Sequence, residues 1–258
     1  MSDTALITGA SSGIGAEFAR YHARKGGDLV LTARSEGKLR ALAAELEAAH
    51  GIKAHLVAVD LGAPGGAQDL IAQIAAAGLQ IDILINNAGF GGQGRHIDRA
   101  LEDEEAMIDL NVRALVTLSH HFSRQMALRA NGRILNVGSS GGFMPGPLQA
   151  VYFASKSFVQ SFSQALAEEM RPQGVTVTLL APGYVKTGFA DRAGLHGTRL
   201  VQGGGKSAVS VAKHGYEAMM RGALISVNEG PLAFMVDWVI PLLPRRAVLI
   251  LVARMQSK

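Results

Sequence analysis

Seven short runs rich in Leu, Ile, Val and Ala, at 4–8, 28–33, 53–59, 81–86, 133–138, 175–181 and 223–227, punctuate the first 227 residues. Between them lie longer helical stretches, at 13–25, 36–50, 67–77, 102–129, 150–171 and 209–221. Strands alternating with helices read as βαβ units, and a series of such units builds a parallel sheet with right-handed crossovers. The runs lack strict polar/apolar alternation, which fits strands covered by helices on both faces. The expected fold class is therefore α/β, a single doubly wound domain over residues 1–228, with a helical tail at 229–258 packed on it.

Composition narrows the chemistry. Hydrophobic residues at 48% against 18% charged exclude a disordered chain. Cys is absent, which removes disulfides, thiolate zinc sites and a Cys nucleophile, and fits a reducing cytoplasm. The start Met1-Ser2-Asp3-Thr4 has no basic n-region, so no secretory leader is expected. Eight His are scattered without ligand spacing, and no metal is expected. Charge is uneven: residues 192–258 carry nine Lys/Arg against three Asp/Glu, and the first 191 carry 16 against 18. A basic final quarter suits an anionic cofactor, an acidic substrate, a membrane surface or plain solvent. No basic–aromatic interleaving points to nucleic acid.

The first strand runs into Thr8-Gly9-Ala10-Ser11-Ser12-Gly13-Ile14-Gly15, where a helix starts. Gly9 allows a tight turn, Gly13 lets backbone approach a phosphate, and Gly15 lets the helix pack close to the sheet. The helix N-terminus offers free N–H groups to a pyrophosphate. Two other patterns are decoys. Gly205-Lys206-Ser207 resembles the end of a phosphate loop, but Leu200 stands where its first glycine belongs. Tyr-x-x-x-Lys occurs twice, at Tyr21/Lys25 and Tyr152/Lys156, each pair one helical turn apart on a common face. Ligands of open α/β sheets bind at the C-terminal strand edge, and only Tyr152 opens a helix there.

The glycine turn, Asn86-Asn87-Ala88-Gly89, Ser139, Tyr152 with Lys156, and Pro182-Gly183 occur in the order shown by the short-chain dehydrogenase/reductase family, which the chain resembles over about 4–227. The likeness is to its compact single-domain branch, and implies a Rossmann-like seven-stranded parallel sheet in the order 3-2-1-4-5-6-7. It implies a catalytic tetrad of Asn111, Ser139, Tyr152 and Lys156. Tyr152 would be the general acid in reduction, with the Lys156 ammonium lowering a phenol value that is ordinarily ~10. Ser139, preferred to Ser140 for its spacing to Tyr152, would hold the substrate oxygen. Asn111 would hold a water in a proton relay to Lys156.

The implied cofactor contacts are Gly9, Ser11, Ser12, Gly13, Ile14, Gly15, Arg34, Asp60, Leu61, Asn87, Ala88, Gly89, Tyr152, Lys156, Pro182, Gly183, Val185 and Thr187. NADP is expected over NAD, because Ala33 occupies the place where NAD users carry a carboxylate, and Arg34 follows with donors for a 2′-phosphate. Ser12 stands at the family's other basic position. The expected function is NADP-dependent hydride transfer on a fairly apolar alcohol/carbonyl pair. Alternatives are a catalytically silent cofactor-binding regulator and, disfavoured by length, a sugar-nucleotide epimerase. The pocket wall is expected from 90–94, 143–147 and 188–200, and the glycine-rich segment 188–207 as a mobile loop. Homodimers or tetramers are expected through 102–129 and 150–171. The tail would be a lid, a subunit contact or a peripheral membrane anchor.

Overall fold

The computed structural model describes residues 3–258. Its strands are β1 (Thr4–Thr8), β2 (Asp28–Ala33), β3 (Ala54–Ala58), β4 (Ile83–Asn86), β5 (Gly132–Val137), β6 (Val175–Leu180), β7 (Val185–Lys186), β8 (Lys206–Ser207) and β9 (Ile225–Ser226). Seven form one parallel sheet in the order β3-β2-β1-β4-β5-β6-β9, while β7 and β8 pair separately. This is the expected doubly wound order, with the last chain position taken by β9 because two extra short strands intervene.

The helices are α1 (Gly13–Arg24), α2 (Glu36–His50), α3 (Gly66–Ala76), α4 (Leu101–Ile108), α5 (Leu115–Leu128), α6 (Ala150–Met170), α7 (Phe189–Ala193), α8 (Arg199–Gln202), α9 (Ala208–Met220), α10 (Gly230–Phe234) and α11 (Arg245–Gln256). Strand side chains alternate between faces, so β2 sends Leu29 and Leu31 into one core and Val30 into the other. The first core also holds Phe18 of α1, Leu39 of α2 and Tyr216 of α9. The second holds Leu70 of α3 and Phe122 of α5. Helices on both faces explain why the runs show no polar alternation.

Three stretches differ from the sequence expectation. The long helix at 102–129 is interrupted by a π-helical turn, Asp109–Ala114, which turns Asn111 inward. The segment 188–207 is no structureless loop: Ala190, Ala193 and Leu195 pack with Tyr184, Phe189 and Leu200, enough apolar contact to fold α7 and α8. The seventh strand shrinks from 223–227 to two residues, because Gly222 turns the chain out of α9 at φ +68° and only Ile225 and Ser226 meet β6.

The tail continues α10 through a π turn, Met235–Val239, and a 3-10 turn, Ile240–Leu242, before α11. Ile240, Val248 and Val252 pack on Phe153 and Met144, beside the start of α6. No helix among the described residues is long and apolar enough to cross a membrane.

Candidate active site

The turn after β1 makes the floor. Thr8 Oγ1 accepts from the N–H groups of Asn87 and Ala88, both at 2.9 Å, and Asn87 Nδ2 donates to Thr8 O at 2.8 Å. These bonds lock the ends of β1 and β4 together at the point where the strand order reverses. Gly9 sits at φ +67°, and a Cβ there would lie 2.9 Å from Asn87 Nδ2. A Cβ on Gly15 would run into the Gly9 carbonyl oxygen. The floor is therefore bare backbone under a helix N-terminus, a cradle that fits a dinucleotide pyrophosphate.

Above it lies a cavity of about 700 Å³ at the C-terminal strand edge. Every residue expected to touch the cofactor lines it except Gly15, which packs beneath the turn. Ser139, Tyr152 and Lys156 line it too, whereas Asn111 is buried behind the wall. The glycine cradle, Asp60 and Leu61, and the Pro182–Thr187 strip thus share one cleft of a size that suits NAD(P).

Ser139 precedes a 3-10 turn and its Oγ accepts from Gly141 N–H at 3.1 Å. That bond uses a lone pair and leaves the hydroxyl proton to donate into the cavity, where it meets Tyr152. Lys156, one turn along α6, donates from Nζ to Val137 O at 2.9 Å, and its Nζ lies 5.9 Å from the centre of the Tyr152 ring. Asn111 holds the backbone of Phe90 at both ends, accepting from its N–H at 3.1 Å and donating to its C=O at 2.9 Å. It also donates to Ser155 Oγ at 3.1 Å. A π turn is a recurrent way to aim one side chain at a functional site.

One electrostatic expectation is corrected. The net shift of the Tyr152 phenol is upward, not downward: burial pushes it up to about 12, opposed by its hydrogen bond with Ser139. Burial also pulls Lys156 down to about 8. Desolvation exceeds the attraction of two groups this far apart, so the protein alone holds a protonated tyrosine next to a lysine ready to give up its proton.

At the far rim Arg34 Nη1 is 3.9 Å from Asp60 Oδ2, both side chains about half exposed. Ser35 and Lys38 line the same rim. Lys38 was not anticipated; its place one turn after Arg34 was the available signal. The cavity is also walled by Met144, Gln149, Phe189, Leu195 and Leu200, and by Leu232, Met235, Val252 and Gln256 of the tail. Gln149 Nε2 donates to Gln256 Oε1 at 2.6 Å, joining α6 to the end of α11. The tail's share in this wall left no motif to find. The expected wall at 90–94 is displaced, because Phe90, Gly91 and Gly92 face a second, smaller cavity.

The decoys fall elsewhere. Tyr21 donates to Glu217 Oε1 at 2.9 Å and packs on Tyr216, cementing α1 to α9. Lys206 and Ser207 form β8. Among the described residues no cluster of His, Asp or Glu is arranged to hold a metal ion.

The family model for short chain dehydrogenases matches residues 3–196, leaving the tail outside the match. Sulfoacetaldehyde reductase 2 of Chromohalobacter salexigens is 37% identical over 214 residues, 82% of this chain and 81% of that protein. The human very-long-chain 3-oxoacyl-CoA reductase is 33% identical over 196 residues, and the match spans only 62% of its length. A short-chain dehydrogenase from Sphingobium yanoikuyae, solved in complex with NADPH, superposes with a TM-score of 0.85 at 33% identity over 91% of either chain. A member from Burkholderia phymatum, solved in complex with NAD, gives a TM-score of 0.81 at 28% identity over 91% of this chain and 92% of that one.

Proposed function

The chain belongs to the short-chain dehydrogenase family, an oxidoreductase family of the CH–OH/C=O pair, and from that premise we propose that it is an NADP-dependent reductase of fairly apolar ketones or aldehydes. The observation that carries this reading is the meeting of Ser139, Tyr152 and Lys156 with the glycine cradle in one cavity whose other end is apolar.

When bound, nicotinamide supplies the hydride that reaches the substrate carbonyl carbon. The chain's own residues handle the oxygen. Ser139, its lone pair occupied by Gly141 N–H, donates its hydroxyl to that oxygen and fixes the carbonyl for attack. Tyr152, held protonated by burial, transfers its proton as charge develops there. The Lys156 ammonium stabilises the phenolate left behind and, at about 8, is acidic enough to return a proton. Asn111 fixes the Phe90 backbone beside Gly89, placing its amide on the route along which Lys156 is replenished. Arg34, with Ser35 and Lys38, would receive the 2′-phosphate.

The substrate meets Phe189, Leu232, Met235 and Val252, so bulk and apolarity are favoured over charge. The tail is read as the outer wall of this site. Homo-oligomers are proposed through α5 and α6, where Phe158 is 41% exposed and stacks on Phe162.

Turnover of a carbonyl panel with NADPH and NADH, beside a fluorescence titration of each, tests the reading. NADPH is expected to bind at least about tenfold tighter, with Arg34→Ala removing most of the difference. Equal affinity for both cofactors, or equal losses in the variant, would overturn the NADP assignment.

A further inference from the structure

Arg192 stands on α7, within the segment that lines the cavity, and its guanidinium rests on Phe90. Its Cζ lies 4.2 Å from the centre of the Phe90 ring. Arg34, Asp60 and Arg192 line both the main cavity and the smaller one beside it, so the lid arginine comes down at the adenosine end. The fields of both neighbours are felt there: burial lowers the Arg192 pKa, Arg34 lowers it further and Asp60 raises it.

The perch is rigid. Phe90 carries the ring on which Arg192 rests, and Asn111 grips Phe90 by both its N–H and its C=O. Among the described residues Asp60 is the one carboxylate lining the main cavity, and it already lies 3.9 Å from Arg34. Arg34, Lys38 and Arg192 thus leave a surplus of positive charge around it. Ser12, in the turn, brings no charge to this end. Asp103 also lines the smaller cavity, but Arg99 stands there with it, so the excess of positive charge remains. A planar guanidinium poised beside a second one, with Asp60 between the two cavities, is a site that a dianionic phosphate would complete.

We propose that Arg192 is a second receptor for the 2′-phosphate of NADP, carried on the lid, so that the phosphate draws the 188–204 segment down over the site. The proposal rests on the NADP reading above. Arg34 and Lys38 belong to the β2–α2 corner and are in place whether or not the lid is down. Arg192 belongs to the lid, so its bond to the phosphate forms only when α7 is seated, and the cofactor that binds also shapes the substrate wall at Phe189 and Leu195. An unphosphorylated dinucleotide lacks this purchase on the lid.

Isothermal titration with adenosine 2′,5′-bisphosphate and with AMP, on the full chain and without nicotinamide, isolates the phosphate. The wild type is expected to prefer the bisphosphate. Arg192→Gln is expected to weaken the bisphosphate about tenfold while leaving AMP unchanged, with Arg192→Lys between the two. The bisphosphate's affinity is expected to fall less steeply with added salt in Arg192→Gln than in the wild type, one screened charge contact having been lost. Arg192 is exposed on α7, and an unchanged melting curve confirms an intact fold. If Arg34→Gln weakens the bisphosphate and Arg192→Gln does not, the lid assignment fails and the NADP reading stands. If Arg192→Gln weakens both nucleotides alike, Arg192 meets the adenosine and not its phosphate, and the assignment fails as well. If the wild type binds both nucleotides equally, the NADP reading itself falls.

Discussion

The floor and the outer wall of the cavity are built from different materials. The floor is backbone: Gly9 and Gly13 at positive φ, the first turn of α1, and the Asn87–Gly89 strip pinned to Thr8. The outer wall is side chains from three distant stretches, joined by contacts such as Gln149 to Gln256, 107 positions apart. A floor of backbone tolerates almost no change of atom, because any Cβ at Gly15 meets the Gly9 carbonyl. A wall of apolar side chains accepts many sequences of similar volume. Cofactor recognition is thereby fixed to the fold, and substrate choice is left to parts that can vary without disturbing it.

The sharpest way to break this contrast is at Tyr152, where floor and wall meet. Tyr152→Phe removes only the transferable proton, so turnover is expected to fall by about 10³-fold while NADPH affinity stays within about twofold. Tyr21→Phe, at the second Tyr-x-x-x-Lys, loses a hydrogen bond to Glu217 and is expected to cost about 1 kcal/mol of stability and no turnover. Steady-state kinetics and urea melts of the two variants decide the matter. Similar losses of turnover in both would mean that the cavity has been misread.

A smaller effect tests whether the wall is separable from the floor. Val252 of α11 is 2% exposed and packs near Phe153. Val252→Asp places a carboxylate in this apolar wall and is expected to raise KM for an apolar ketone about tenfold or more, with NADPH affinity unchanged. Val252→Ala, a gentler cut, is expected to move KM the same way by a few fold. Loss of NADPH affinity in step with KM would show that tail and floor act as one unit.

The same contrast explains what could be read from residues alone. The glycine turn, Asn87–Gly89 and the Tyr152/Lys156 pair are short, contiguous and sterically demanding, so their chemistry is written locally. The parallel doubly wound class followed from the alternating runs, while the strand order, Ser139 and Asn111 came through the resemblance to the family, whose motifs those short segments match. The outer wall has no such signature. Leu232, Met235 and Val252 reach the cavity only through the path of the chain after β9. Their apolarity alone fits a lid, a subunit contact or a lipid surface equally. The segment 188–207 was missed as ordered because α7 and α8 are only five and four residues long, too short for helical periodicity to register. Sequence also ranked the Lys156 charge above desolvation at Tyr152, since burial depth is a property of the folded cavity.

A last expected effect concerns what burying Lys156 beside the floor costs the fold. Lys156 is 6% exposed and offers its ammonium one carbonyl, that of Val137. Burial pulls its pKa from 10.5 to about 8. In the unfolded chain the amine keeps its proton up to the ordinary lysine value; in the folded chain it releases it near 8. Between these limits the unfolded state binds more protons, so raising the pH favours folding. The penalty for burying the ammonium is fully present below pH 8 and disappears towards pH 10.5, with an upper limit of about 3 kcal/mol. Lys156→Met removes the titration but strands the Val137 carbonyl, a loss of about 1–3 kcal/mol, so near pH 7 the two proteins are expected to be close in stability. Urea melts without cofactor, at steps from pH 7 to 10, are expected to show the wild type gaining on the variant as the pH rises. Tyr152, pushed up to about 12, titrates above this range and is common to both. A gap that stays constant would mean that Lys156 keeps its ordinary proton affinity in the empty site, and that its readiness to return a proton arises only once the cofactor is bound.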